Sequence, residues 1–557
     1  MTSPRWLTWH ALVGIGLVLV MLLPAWSVPP SAAAVSAGGR AAAFSGTLPG
    51  RLVTARVSST PPAPTPEQMR VAEELMAKAN RSPQVAGPLA EVAPQDLGPA
   101  VPSPAGTGSK VPGTYTRFRV TALPVGGIVG GSSYSSFVNE PSTAVNGKFV
   151  FQTGNWYAGY SVDNGATWSY LNPFTLFGTG FCCDQVVVYD PSRDRVFWLL
   201  QFGDHLAVAN AAGTNLTAWC YYNFYPATIG QLSNTALDYN EMAVGRDNLY
   251  FTTNIFPAAG GYGAEIVRLP LDGMAACGSI GFNYYAQTSN LAWVPVIGAN
   301  QGRMYWGTNW TEMTKGSTFR VFWWDENSGT LYWYSYNINA FAFMTRNSGQ
   351  NCASQDGVVK NWCQFSDSRT HGGALTRGTQ VRPPATAGGL VQFTFDVKQG
   401  GFAPFPWSRR VYFRESDLAY LGDANLYGSW GAIQFLDIAP NARGDIGYVF
   451  AWGGGTGTTH YFPGTAVGID DQYSPSQPWT NDFVLPGVKN PCTYGGLYRW
   501  GDYLTARPLD PAADVWVATG YTIRNVNCPN SGWFAQPYNV VFGRERDTNS
   551  YNRWKAH

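Results

Sequence analysis

Residues 184–209 read DQVVVYDPSRDRVFWLLQFGDHLAVA, and residues 503–522 read YLTARPLDPAADVWVATGYT. Each places an apolar or aromatic run before an Asp-Pro turn and a second such run after it. Pro presets one φ of the turn and Asp accepts from the backbone amides that follow, so each stretch reads as two antiparallel strands joined by a tight connection. Meeting nearly the same object twice, far apart in the chain, makes repetition the first question.

The unit recurs in both directions from these stretches. Residues 141–161 (PSTAVNGKFVFQTGNWYAGYS), 241–269 (EMAVGRDNLYFTTNIFPAAGGYGAEIVRL), 293–310 (WVPVIGANQGRMYWGTNW) and 433–452 (IQFLDIAPNARGDIGYVFAW) repeat its order of strand, polar turn and aromatic strand. A further unit runs from GGALTRGTQ through LVQFTFDV to RRVYFRE, residues 372–415. Short strands at this spacing, with no long amphipathic helix, make the fold all-β. Units of roughly 40 to 50 residues plus insertions predict a β-propeller of seven blades, with six or eight as alternatives. A β-sandwich with an appended domain is the competing architecture. The strand YTRFRVTA, residues 115–122, precedes the first unit unattached, and pairing it into the last blade would close the ring.

Upstream of the repeats, Arg5 precedes an apolar run from Ala11 to Leu23, with small residues at Ser31, Ala32, Ala33 and Ala34. This reads as a secretory signal over 1–34, since a membrane span needs about 20 apolar residues; an uncleaved N-terminal anchor is the lesser reading. Residues 35–112 are rich in Ala, Pro, Ser and Gly and read as a disordered linker or pro-segment. Its exception is PEQMRVAEELMAKAN, where Met69, Ala72, Leu75 and Met76 recur at helical spacing. The propeller is assigned to 113–547.

Charged residues make up 13% of the chain, against roughly 25% in an average protein. Aromatics reach 15%, with 22 tryptophans, and the formal net charge is +1. No basic run offers the footprint of a nucleic-acid binder. Neutral polar ligands suit such a surface better, so the expected partner is an extracellular glycan or a cell-surface molecule, bound by a monomer with no membrane span after signal cleavage.

Export allows the eight cysteines to form a disulfide framework. Chain proximity pairs Cys352 with Cys363 and Cys492 with Cys528. Adjacent Cys182 and Cys183 either take separate partners such as Cys220 and Cys277, or bond to each other and leave those two as a pair. The second arrangement is slightly favoured. It would set a small ring directly before Asp184.

One motif carries a resemblance. Ser161, Asp163, Gly165, Thr167 and Trp168 in SVDNGATW match S-x-D-x-G-x-T-W. This resembles the Asp-box, or BNR repeat, of sialidase-like propellers, and the chain from about 115 to 545 is similar to uncharacterised secreted bacterial proteins of that type. The resemblance implies that the box is a structural turn between the two outer strands of a blade, facing away from the central pocket. The segment WDENSGTLYW near Trp324 reads as a degenerate second copy. Sialidases carry an Arg-Ile-Pro motif that is absent here, which argues against sialidase chemistry.

Innermost strands of a propeller begin at one face of the channel, so residues at those starts converge. Asp184, Glu241 and Asp502 are the candidate catalytic carboxylates, since glycoside hydrolysis needs one protonated and one ionised acid. Glu140, Arg369, His371 and Arg499 are candidate ligand-binding groups, and Trp156 and Tyr157, in a Gly-flanked loop, are candidate stacking faces for a sugar. The competing readings are that these groups seal the channel or that converging acids hold a calcium ion; no cofactor is required by the sequence. HExxH, G-x-S-x-G and P-loop motifs are absent. The function expected is binding or processing of an extracellular glycan in the central pocket, with any catalysis that of a sialidase-like glycoside hydrolase; the alternative is a non-enzymatic surface or matrix scaffold.

Overall fold

A computed structural model of the chain describes residues 35–79, 117–125 and 135–545, the last span leaving aside 137, 179–180, 214, 300, 312–315, 356–358, 378–388, 457–458, 472–479, 495, 510–514 and 525–533. The expected signal at 1–34 and the expected linker at 80–112 lie outside the described residues. The rest is a seven-bladed β-propeller, each blade an antiparallel sheet whose first four strands meander outward from the axis.

The innermost strands are Ser142–Asn146, Gln185–Asp190, Ala236–Val244, Val294–Pro295, Thr370–Thr376, Ala432–Pro440 and Thr505–Pro508. Each lies against the innermost strand of the next blade, and Thr505–Pro508 lies against Ser142–Asn146, so the ring closes around a channel. As expected from the sequence, Arg117–Pro124 pairs with Phe534–Glu545 and becomes the outermost strand of the last blade.

Strand periodicity explains the apolar runs. In VVV, Val187 points to one face and packs with Phe151, Trp198 and Trp219 between blades one and two, while Val186 and Val188 point to the other and pack with Phe224 and Phe251. Both faces are covered, so alternation is lost and the run reads as continuous. Most tryptophans are such wedges: Trp198, Trp219, Trp306, Trp324, Trp407 and Trp516 are all fully buried. Burying each large apolar side chain contributes roughly 1.5–3 kcal/mol.

The N-terminal segment departs from the expected linker. Val35–Ala41 pairs with the outer strand of blade four, Phe44–Leu48 with that of blade three and Arg51–Thr54 with that of blade two. Ser58 then bridges to Tyr170 on blade one. This strap is held by backbone pairing to open sheet edges rather than by apolar burial; Phe44 and Leu52 are 63% and 77% exposed. Composition reports apolar surface and is blind to edge pairing. The expected helix forms, over Pro66–Ala79, and its Met69 packs against the core between blades one and two.

The SVDNGATW turn joins the third and fourth strands of blade one. Thr167 N donates to Asp163 Oδ1 at 2.8 Å and Trp168 Nε1 to Gly165 O at 3.0 Å, with Gly165 at φ 91°. The WDENSGTLYW turn takes the same place in blade four, where Trp324 Nε1 donates to Gly329 O at 3.1 Å. Strand direction alternates outward, so both turns lie on the face opposite the start of the innermost strands.

Three disulfides join Cys182 to Cys183, Cys220 to Cys277 and Cys352 to Cys363. Cys492 is also disulfide-bonded, and its expected partner Cys528 lies outside the described residues. Among the described residues no helix is long and apolar enough to cross a membrane.

Candidate functional site

At the face where the innermost strands begin, charged side chains from several blades meet in one buried chain. Arg499 Nη2 donates to Glu140 Oε1 at 2.6 Å and to Asp502 Oδ2 at 3.0 Å. Arg369 Nη1 donates to the same Asp502 oxygen at 3.0 Å, and its Nε and Nη2 grip Asp367 bidentately at 2.7 and 2.8 Å. Arg346 Nε stands 3.8 Å from Asp367. Asn155 donates to the second oxygen of Glu140 at 2.6 Å. Of the sequence candidates, Glu140, Arg369, Arg499 and Asp502 are therefore joined here.

Local backbone geometry sets these groups. Glu140 and Tyr239 are non-glycine residues at φ 42° and 52°, a left-handed conformation that the surrounding contacts must hold. A bulge between Asp238 and Glu241 lets Tyr239 turn into the mouth, where its ring lies under the Arg369 guanidinium at 4.7 Å and edge-on to Tyr503.

Asp184 stands apart. It is 7% exposed, and its carboxyl takes no hydrogen bond among the described residues. Its main chain is fixed by Gln201 N donating to Asp184 O at 3.1 Å. The Cys182–Cys183 ring lies directly before it, buried among Phe174, Phe181 and Phe202. Burial, together with the charges of Glu140, Asp238 and Asp502, pushes the Asp184 carboxyl well above the usual carboxylate range. Burial raises Asp238 too, with Asp502 adding to it. Asp502 goes the other way: although burial opposes ionisation, Arg499 and Arg369 overcome it and hold the carboxylate far below its ordinary value. One raised and one lowered acid thus share the mouth, and acid–base chemistry needs two acids pushed apart in this way.

Four sequence candidates are placed differently. Glu241 sits further along the channel, where burial and the charge of Asp437 push it up to about 8. There Asp437 accepts from Ala506 N at 2.8 Å and Arg507 Nη1 at 3.2 Å. The bulge explains the offset, because the strand starts at Ala236 and puts Asp238, not Glu241, at the mouth. His371 does not face the channel as a ligand. Its Nε2 pairs with Asp396 at 2.8 Å and its Nδ1 reaches the Tyr239 hydroxyl at 3.3 Å, so it props that ring. Trp156 and Tyr157 are 3% and 0% exposed and pack inside the blade cores, offering no face to a sugar. A Gly-flanked aromatic pair reads as loop in sequence, but here it is the buried end of a blade hairpin.

Asp367, Asp238, Arg346 and Tyr239 were not picked out by sequence reading. Asp367 lies two residues before Arg369 in DSR and could have been inferred as its partner; nothing local marks Arg346. Among the described residues no group of three or more His, Cys, Asp and Glu side chains is placed to hold a metal ion, so no residue is assigned to calcium.

No protein-family model matches the chain, and no curated protein does. Among solved structures it is similar to the polysaccharide lyase Uly1, at 10% identity and a TM-score of 0.36 over 74% of this chain and 91% of that one. It is also similar to Trypanosoma rangeli sialidase in complex with sialic acid, at 9% identity and a TM-score of 0.29 over 67% of this chain and 56% of that one. A glycosyl hydrolase from Bacteroides ovatus matches at 9% identity and a TM-score of 0.28, over 67% and 96% of the two chains. No residue's role is carried from them to this chain.

Proposed function

We propose that the chain binds an extracellular glycan at the channel mouth and acts on it by proton transfer, with Asp184 as the acid and Asp502 as the ionised partner that stabilises developing positive charge. The observation that carries this reading is the Asp184 carboxyl: buried, without a hydrogen-bond partner among the described residues, and raised beside a carboxylate that two arginines keep ionised. A neutral carboxylic acid can donate its proton to a glycosidic oxygen, and an adjacent carboxylate favours an oxocarbenium-like transition state. Asp502 is a poor base because both arginines converge on one of its oxygens. Asp238, half-buried and raised, is better suited to accept a proton.

The second reading is a scaffold whose channel is sealed by the ion-pair chain. It is favoured by how completely Glu140, Arg499, Asp502, Arg369 and Asp367 satisfy one another. A panel of polysaccharides and chromogenic glycosides assayed with the wild type and Asp184→Asn separates the two. Loss of general acid catalysis should slow turnover by about 100-fold or more, with the thermal midpoint unchanged or higher, since a buried unpaired acid is removed. Equal turnover in the variant would rule out Asp184 as the acid. A blank panel, with a surface partner still captured by Asp184→Asn, would establish the scaffold.

A further inference from the structure

On the opposite face, blades four and five part to leave a cavity of about 390 Å³. One wall is a run of three rings: Trp323 lies 4.8 Å from Tyr332 at an interplanar angle of 17°, and 5.3 Å from Tyr334 at 33°. These rings are only half-buried, unlike the wedges between blades. The other wall is the turn carrying Glu415 and Asp417, and Asp325 stands beside Arg303 at the edge.

We infer that this cleft is a binding site for a neutral saccharide, separate from the channel mouth. Its volume lies within the range of small-ligand pockets, about 300–1,000 Å³. The ring wall suits the apolar face of a pyranose. The carboxylates accept hydrogen bonds only and so select a ligand rich in hydroxyl donors. A cation would need an uncompensated carboxylate, and every one here is paired: Asp325 with Arg303 at 3.6 Å, Asp417 with Arg414 at 2.8 Å and Glu415 with Arg377, whose Nε donates at 2.9 Å. An acidic sugar would need an arginine to receive it, and each one here is already held by its carboxylate. The site stands or falls independently of chemistry at the channel mouth, which is on the other face.

Calorimetric titration of the full chain with neutral hexasaccharides (cellohexaose, xylohexaose, maltohexaose and mannohexaose) tests it. At least one should bind, with affinity reduced tenfold or more by Trp323→Ala and by Tyr332→Ala, and unchanged by Asp184→Asn. Two wall variants guard against a misfolded one, each checked by its unfolding midpoint. Absence of binding by all four sugars would overturn the site, as would binding that survives both wall variants.

Discussion

Asp502→Ala is expected to destabilise the protein by about 3–5 kcal/mol, the cost of leaving buried charges without their partner. The substitution removes one carboxylate oxygen that accepts from Arg369 Nη1 and from Arg499 Nη2, both at 3.0 Å. An opposing effect exists, because Asp502 also repels Glu140, Asp184 and Asp238. The sign of its own titration decides between them: against burial and neighbouring acids, Asp502 is still held ionised far below its ordinary value. Attraction therefore exceeds repulsion. A group lowered in this way contributes stability that is present above the ordinary Asp range and is lost as pH falls below it. Urea unfolding should show the full deficit at pH 7 and a smaller one near pH 3. With Asp502 gone, one of the charges raising Asp184 is gone too, so Asp184 should ionise more readily and turnover should fall beyond what instability explains. A deficit below about 1 kcal/mol at pH 7 would mean that the arginines find other partners.

Glu241→Gln is expected to have the opposite effect, stabilising the protein at alkaline pH. Glu241 is raised to about 8 by burial and by Asp437, with Arg507 only partly offsetting them. Between the ordinary Glu value of about 4.3 and this one, the folded state keeps a proton that the unfolded state has released. Stability therefore falls as pH rises through that window, by about 1.4 kcal/mol per pH unit, and the loss is complete above it. Gln is nearly isosteric and stays neutral, so the variant should match the wild type at pH 4 and exceed it by roughly 5 kcal/mol at pH 8.5. Equal unfolding midpoints at both pH values would show that Glu241 titrates normally.

These two residues also mark how far the sequence could be read. Blade starts were legible: Glu140, Asp184 and His371 all fall within a few residues of the start of an innermost strand. So was closure by the strand before the first unit. What escaped were features created by long-range geometry. A bulge moves Glu241 down the channel and brings Asp238 and Tyr239 to the mouth. Arg346 arrives from an insertion between blades, with no local pattern to announce it. The strap over 35–58 is made of backbone pairs, which side-chain composition does not encode. The adjacent cysteines gained a place: their ring is buried in the core directly before Asp184, whose carboxyl is raised by burial and by neighbouring acids.

The proposed function requires Asp184 to hold its proton at pH 7, and this can be observed without knowing the substrate. An infrared difference spectrum of the wild type minus Asp184→Asn at pH 7 should contain the carbonyl stretch of a protonated carboxylic acid, absent from the variant. The paired bands of a carboxylate in its place would show Asp184 ionised at neutral pH, and would contradict the account.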